Sequence, residues 1–337
     1  LTERVILEYA EDVFSMYTVS DKTILSVTRN ADINPDDENF EVDDDYRRHM
    51  KRVLKKRARL ACVRLELAGE CSAELRYFFM RRLSLKKEQV FKSSTPLNMS
   101  YVYALSDKFT PAAKRQLSYL PFSPCPSRMV NRSESMIKQV LRQDLFLSYP
   151  YESMEPFLQL VREAAHDPAV ISIKITIYRL ASKSRLVEYL SAAAENGKDV
   201  LVLMELRARF DEENNINWSE NLEDAGCKVI YGLEDFKVHS KICLITRRDR
   251  GKIQYITQIG TGNYNEKTAK LYTDFCLMTA DSAIGNDASE FFKNMSLSNL
   301  EGVYHELLVA PYSLKNRLLE QMDHLMERAK SGRSARM

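Results

Sequence analysis

Val170-Ile171-Ser172-Ile173-Lys174-Ile175-Thr176-Ile177-Tyr178, followed by Arg185 to Asn196 and then Val200 to Met204, decides the fold. The first run places Ile171, Ile173, Ile175 and Ile177 on one face of a strand. Arg185 to Asn196 reads as a helix that stops at Gly197. Val200 to Met204 is continuously apolar, as in a strand covered on both sides. Strand, helix and strand in this order predict an α/β layer. The same rhythm starts upstream, with a strand over Leu145 to Tyr149 and a helix over Met154 to Ala165. Downstream, Val238 to Thr246 and Ile253 to Ile259 read as paired strands about a turn at Asp249-Arg250-Gly251. A further strand is expected over Leu271 to Thr279 and a closing helix over Ser313 to Ala329, with no internal repeat.

Residues before Asp144 follow a different pattern, rich in helix with short strands. Thr2 to Tyr17 carries Ile6, Ala10, Val13 and Tyr17 at helical spacing. Ile24 to Thr28 and Val63 to Leu67 read as strands, and Ala73 to Ser84 as a helix. Asp43 to Arg59 is expected to be a long basic helix with a solvated face, the alternative being a stripe that binds polyanions. Pro121-Phe122-Ser123-Pro124-Cys125-Pro126-Ser127 cannot be regular helix and marks a connection.

A length of 337 residues suits two ordinary domains, and 45% hydrophobic with 28% charged residues describes a soluble globular protein. A net charge of +2 gives no reason to nominate nucleic acid as a partner. Cys62, Cys71, Cys125, Cys227, Cys243 and Cys276 have no metal-binding spacing and are expected to be reduced, packed thiols of a cytosolic protein. No apolar run approaches the ~18 residues of a membrane span. Leu1-Thr2-Glu3-Arg4 shows neither a signal-peptide pattern nor an initiating Met, so a longer parent chain is expected.

The candidate chemistry lies at His239-Ser240-Lys241 and Gly260-Thr261-Gly262-Asn263. On a strand, His239 and Lys241 would project to one side. An imidazole beside an ammonium suits phosphoryl acceptance, the first attacking phosphorus and the second stabilising oxygen charge. The glycines allow close backbone approach, and Asn263 offers an amide to phosphate or to its own turn. A structural histidine on a half-buried strand is the alternative. The chain contains its own control, His49-Met50-Lys51, where helical geometry would send the two side chains to different sides.

Several motifs together resemble the polyphosphate kinase family of bacterial enzymes. They are Leu147-Ser148-Tyr149-Pro150-Tyr151, Ile175-Thr176-Ile177-Tyr178-Arg179, Ala208-Arg209-Phe210-Asp211-Glu212-Glu213, Val238-His239-Ser240-Lys241, Ile259 to Thr268, and Leu271-Tyr272-Thr273-Asp274. The resemblance covers essentially the whole chain. It implies a helix-rich α+β middle, or head, domain over residues 1–143. It also implies a first C-terminal catalytic domain over residues 144–337, phospholipase D-like and α/β with a mixed sheet. Family members also have an N-terminal domain and a second C-terminal domain, so this chain is expected to be a fragment.

The resemblance implies reversible transfer of the ATP γ-phosphate to polyphosphate, with His239 phosphorylated and Lys241 beside it. Arg179 and Arg209 match the family's magnesium-phosphate site. A guanidinium has no lone pair for a metal, so forked hydrogen bonds to the phosphates that carry Mg²⁺ are expected. Tyr272 matches an ATP-contacting position, Asn263 and Lys267 are candidates for phosphate contact, and Asp274 for orienting His239 or Lys241. Gln258 departs from relatives that have a second histidine there, and an amide cannot do imidazole's acid-base work. His166, His305 and His324 are expected to be structural or exposed. The implied partners are ATP/ADP and inorganic polyphosphate, not nucleic acid, with Mg²⁺ as cofactor. A homodimer through the head domain is implied, in the cytoplasm with peripheral contact at the inner membrane. Two other functions fit the same residues: a phospholipase D-type phosphodiesterase or nuclease, and a fragment that binds polyphosphate without turnover.

Overall fold

Periodicity in the sequence becomes two separate cores in the computed structural model, which describes residues 2–30, 46–57, 59–120, 122–181, 183–208, 211–232 and 236–336. The first unit, Leu1–Phe122, contains α1 (Thr2–Glu8), α2 (Ala10–Val13), β1 (Ile24–Arg29), α3 (Tyr46–Arg57), β2 (Cys62–Ala68), α4 (Ala73–Arg82), β3 (Val90–Ser93), α5 (Tyr101–Lys108) and α6 (Pro111–Leu117). Its sheet runs β1-β2-β3, with β1 antiparallel and β3 parallel to β2. Leu65, Leu67 and Leu85 form its buried centre, with Val27, Phe79 and Val90 packed around them.

The helix expected over Thr2 to Tyr17 is two short pieces with Tyr9 between them. Of the basic helix expected over Asp43 to Arg59, the residues 43–45 and 58 lie outside the described residues. In α3, His49, Met50 and Val53 are buried, so the histidine helps to fill a core instead of lying on a solvated face. Lys51 is exposed, and the two members of the control motif diverge as helical geometry requires.

The second unit, Ser123–Met337, contains α7 (Met136–Arg142), β4 (Leu145–Tyr149), α8 (Glu155–His166), β5 (Val170–Ile177), α9 (Arg185–Glu195), β6 (Asp199–Met204), α10 (Glu212–Asp224), β7 (Lys228–Tyr231), β8 (Ile242–Asp249), β9 (Lys252–Gly260), β10 (Asp274–Thr279), α11 (Ser282–Ser296) and α12 (Leu314–Lys330). Among the described residues its sheet has seven strands in the order β4-β10-β9-β8-β5-β6-β7. β5, β6 and β7 are parallel, while β8, β9, β10 and β4 are antiparallel to their neighbours, so the sheet is mixed as expected. β6 is buried on both faces: Leu201 and Leu203 join Ile242, Leu244, Phe291 and Phe292 in one core layer. Val200 and Val202, one residue out of phase, are buried on the opposite face.

The division between the units falls within the proline-rich connection, between residues 122 and 123, and not at 143/144. Long-range bonds that sequence spacing does not reveal move residues 123–143 into the second unit. Glu163 on α8 accepts from Met136 N at 3.0 Å, Ile137 N at 3.2 Å and Ser135 Oγ at 2.6 Å, placing an anion at the α7 N-terminus. Cys125 N donates to Tyr151 O at 2.7 Å, which ties the proline-rich stretch to the end of β4.

Two strand starts differ from expectation. β8 begins at Ile242, so His239-Ser240-Lys241 precedes the strand, and β10 begins at Asp274, so Tyr272 lies on the turn before it. Tyr272 and Asp274 therefore do not share a strand face.

Candidate functional site

The C-terminal ends of β5, β6 and β9 and the starts of β8 and β10 lie along one edge of the second sheet. Irregular backbone just beyond strand ends is where α/β sheets gather ligand-binding groups. Tyr178 and Arg179 follow β5, His239 and Lys241 lead into β8, Gly260 to Asn263 follow β9, and Asp274 opens β10.

Tyr178 is the centre of the arrangement. The His239 ring meets it edge to face with centroids 4.8 Å apart. Lys241 Nζ lies 5.4 Å and Arg179 Cζ 5.5 Å from the centroid of the same ring. Aromatic faces attract cations, so the ring gathers two positive groups around an imidazole. His239 and Lys241 thus converge as the sequence predicts, through a shared aromatic neighbour and not through strand alternation. His239 is exposed and Lys241 buried, with Lys241 Nζ donating to His239 O.

Although its side chain is exposed to solvent, partial desolvation of the ring holds the His239 imidazole below its ordinary value, and the charges of Lys241 and Arg179 push in the same direction. The ring is consequently neutral near pH 7, with one nitrogen free to act as a nucleophile. Burial also lowers the Lys241 ammonium to about 8, against an opposing pull from Asp274. Arg179 Nε sits 2.8 Å from Asp211 Oδ2, so an incoming phosphate would share this guanidinium with a carboxylate. Arg209 lies outside the described residues.

The glycine turn is shaped by close approach. A Cβ on Gly262 would stand 2.5 Å from Asp274 Oδ2, and one on Gly260 would stand 3.0 Å from Phe275 O. Asp274 Oδ1 accepts from Thr261 Oγ1 at 2.8 Å, and Gly260 N donates to Lys241 O at 2.9 Å. These bonds connect the turn to the lysine and make Asp274 a neighbour of Lys241. Asn263 has a buried Oδ1 without a hydrogen-bond partner, a cost that a bound donor would relieve. Lys267 and Tyr272 are exposed on the turn leading into β10, Tyr272 at 63%, and they belong to this loop and not to the ring cluster. Gln258 is buried, accepting from Tyr264 Oη and lying 3.5 Å from Cys276 Sγ through Nε2, so it packs the sheet beneath the site.

A cavity of about 450 Å³ opens beside the histidine segment, between Lys237 to Ile242 and the apolar Phe291, Met295 and Leu307. Sequence reading missed this cavity, the central role of Tyr178, and Thr176. The Thr176 hydroxyl donates to Ser240 O at 2.7 Å and accepts from Ile242 N at 3.2 Å. Tyr178 stands in the Ile175-to-Arg179 motif, and its place immediately before Arg179 is the available signal. His166, His305 and His324 are exposed. Cys227, Cys243 and Cys276 are buried thiols, whereas Cys125 is exposed and not packed as expected.

Residues 1–105 match the model of the polyphosphate kinase middle domain, and residues 135–301 that of the polyphosphate kinase C-terminal domain 1. The chain belongs to the polyphosphate kinase family. Within that family, the polyphosphate kinase of Bacillus cereus is 40% identical over 324 residues, 96% of this chain and 46% of the relative. That of Pseudomonas aeruginosa is 36% identical over 327 residues, 97% of this chain and 46% of the relative. The crystal structure of polyphosphate kinase from Porphyromonas gingivalis aligns with a TM-score of 0.74 at 29% identity, over 98% of this chain and 46% of that one. The chain thus spans about half the length of the family members it matches.

Proposed function

We propose that the chain carries the phosphoryl-acceptor site of an ATP:polyphosphate phosphotransferase, with His239 as the acceptor. The observation that supports this reading best is the grouping of His239, Lys241 and Arg179 around Tyr178, with the histidine kept neutral near pH 7. The unprotonated ring nitrogen gives its electron pair to the γ-phosphorus to form the N–P bond as the bond from phosphorus to the β,γ-bridging oxygen breaks, and ADP leaves with the electron pair of that broken P–O bond. A terminal oxygen of polyphosphate then attacks the same phosphorus. The N–P bond breaks, neutral imidazole returns, and the chain is one phosphate longer. The Lys241 ammonium and the guanidinium of Arg179, joined by Arg209, neutralise the phosphate oxygens. Asn263, Lys267 and Tyr272 are assigned to phosphate and nucleotide contact along the β9–β10 turn.

The donor set here fits phosphate and not a metal ion. Guanidinium groups have no lone pair to give, and no group of three or more His, Cys, Asp or Glu side chains suited to a metal occurs among the described residues. Mg²⁺ is therefore read as arriving on the nucleotide phosphates, where it would add neutralising charge.

Incubation with Mg²⁺ and γ-labelled ATP tests the reading. Acid-labile, alkali-stable label is expected at His239, and none in His239→Ala. Stoichiometric label retained in that variant would remove His239 as the acceptor.

A further inference from the structure

The backbone that carries His239 lies outside the sheet, and side chains make the bonds that strand neighbours would otherwise supply. Arg207 Nη2 donates to Phe236 O at 2.7 Å. Glu205 Oε2 accepts from Val238 N at 2.8 Å, one residue before the histidine. Thr176 Oγ1 takes the next two positions, Ser240 O and Ile242 N. Fastenings thus fall on both sides of His239.

Glu205 is the least expected of these groups. It is a carboxylate only 2% exposed, immediately after β6. Burial of a carboxylate is costly unless donors surround it. Besides Val238 N, it accepts from Arg207 N at 2.6 Å, and Arg207 Nε lies 3.5 Å from the same oxygen. Its backbone is fixed as well: Glu205 N donates to Ile177 O at 2.9 Å, and Asn215 Nδ2 donates both to Glu205 O and to Tyr178 O, each at 2.8 Å. Asn215 therefore registers Glu205 against Tyr178, the ring on which His239 packs.

We propose that Glu205 is a positioning residue for His239, its buried carboxylate setting where the imidazole stands relative to Tyr178 by holding Val238 N. Arg207 is its companion, neutralising the carboxylate and holding Phe236. The inference rests on the reading of His239 as acceptor only for its catalytic consequence, because the geometric part concerns the folded chain alone. A histidine displaced by about an ångström from its reacting phosphorus would lose on the order of a hundredfold in rate.

The test compares the unaltered chain with Glu205→Ala and Glu205→Gln. The glutamine preserves shape but replaces one acceptor oxygen with an amide donor, so it decides the matter should the alanine variant fail to fold. Titration of ring-labelled histidines by NMR, with the His239 signal assigned from His239→Ala, reads the imidazole's surroundings directly. In the folded variants the His239 pKa is expected to rise toward its ordinary value as the ring leaves Lys241 and Arg179, while the other four histidines titrate unchanged. A variant with lowered thermal stability and an unmoved His239 titration would overturn the proposal and leave Glu205 with a merely structural role. Labelling from γ-labelled ATP is the second readout, expected to fall roughly 10- to 100-fold with less than about a threefold change in half-saturating ATP. Absence of label in the unaltered chain would count against the acceptor reading, and the titration would still decide the positioning role.

Discussion

At the level of single residues, two perturbed groups predict the shape of a pH profile. His239 titrates below 6.5 because partial desolvation and two cations disfavour its charged form. Below its own titration point it is protonated and has no electron pair for phosphorus, so labelling rises with pH through a point lower than 6.5. Lys241 loses its proton at about 8, and labelling should fall again there as the positive charge disappears. Lys241→Arg keeps a charge that cannot be removed in this range, so the alkaline fall should vanish even though the altered shape lowers the maximum rate about tenfold. Rates measured from pH 5 to 10 check this, and a persisting fall near 8 in Lys241→Arg would assign that limb to another group. These residues were legible in the sequence because His239, Lys241 and Arg179 interrupt or border apolar runs, where a charge needs a reason. Glu205 was not legible, since one acid after a strand looks the same whether it faces water or a backbone amide from a segment far along the chain.

At the level of elements, the glycine turn after β9 makes a sharper prediction than its composition suggests. A methyl at Gly262 would collide with the carboxylate of Asp274, which must then leave both Thr261 and the neighbourhood of Lys241. Gly262→Ala is expected to cost about 1–3 kcal/mol, as overpacking does. Gly251→Ala in the β8–β9 hairpin meets no atom within 4 Å and is strained only by a φ of +81°, for about 1 kcal/mol. Urea unfolding of both variants ranks them. Equal costs, with normal labelling in Gly262→Ala, would deny the turn its coupling to the site. Strands β5 and β6 were readable because isoleucine and valine repeat without turn residues. The start of β8 was misread because Val238 to Lys241 has strand composition, yet Glu205 and Thr176 take its backbone bonds. Composition reports a preference for extended backbone, but not which partner completes it.

For the whole molecule, each unit buries its own core, and the chain's single tryptophan, Trp218, lies half-buried in α10 of the second unit. Tryptophan fluorescence therefore follows the second unit alone. Residues 123–337 produced separately should unfold in one cooperative transition with a Trp218 midpoint matching that of the entire chain. A separate piece that melts gradually would show that it borrows its stability from residues 2–122. The division was foreshadowed by three prolines in a short stretch, but its exact side was set by Glu163 and the bonds of Cys125, contacts that join distant sequence. The strand order has a consequence for the protein's birth. β4 is an edge strand whose hydrogen-bonded neighbour in the sheet is β10, so Leu145–Tyr149 emerges from the ribosome well before the Asp274–Thr279 segment that will shelter it. At ordinary translation speeds the nascent strand waits on the order of ten seconds with an unpaired edge, a window in which a cell's chaperones could take the place of β10.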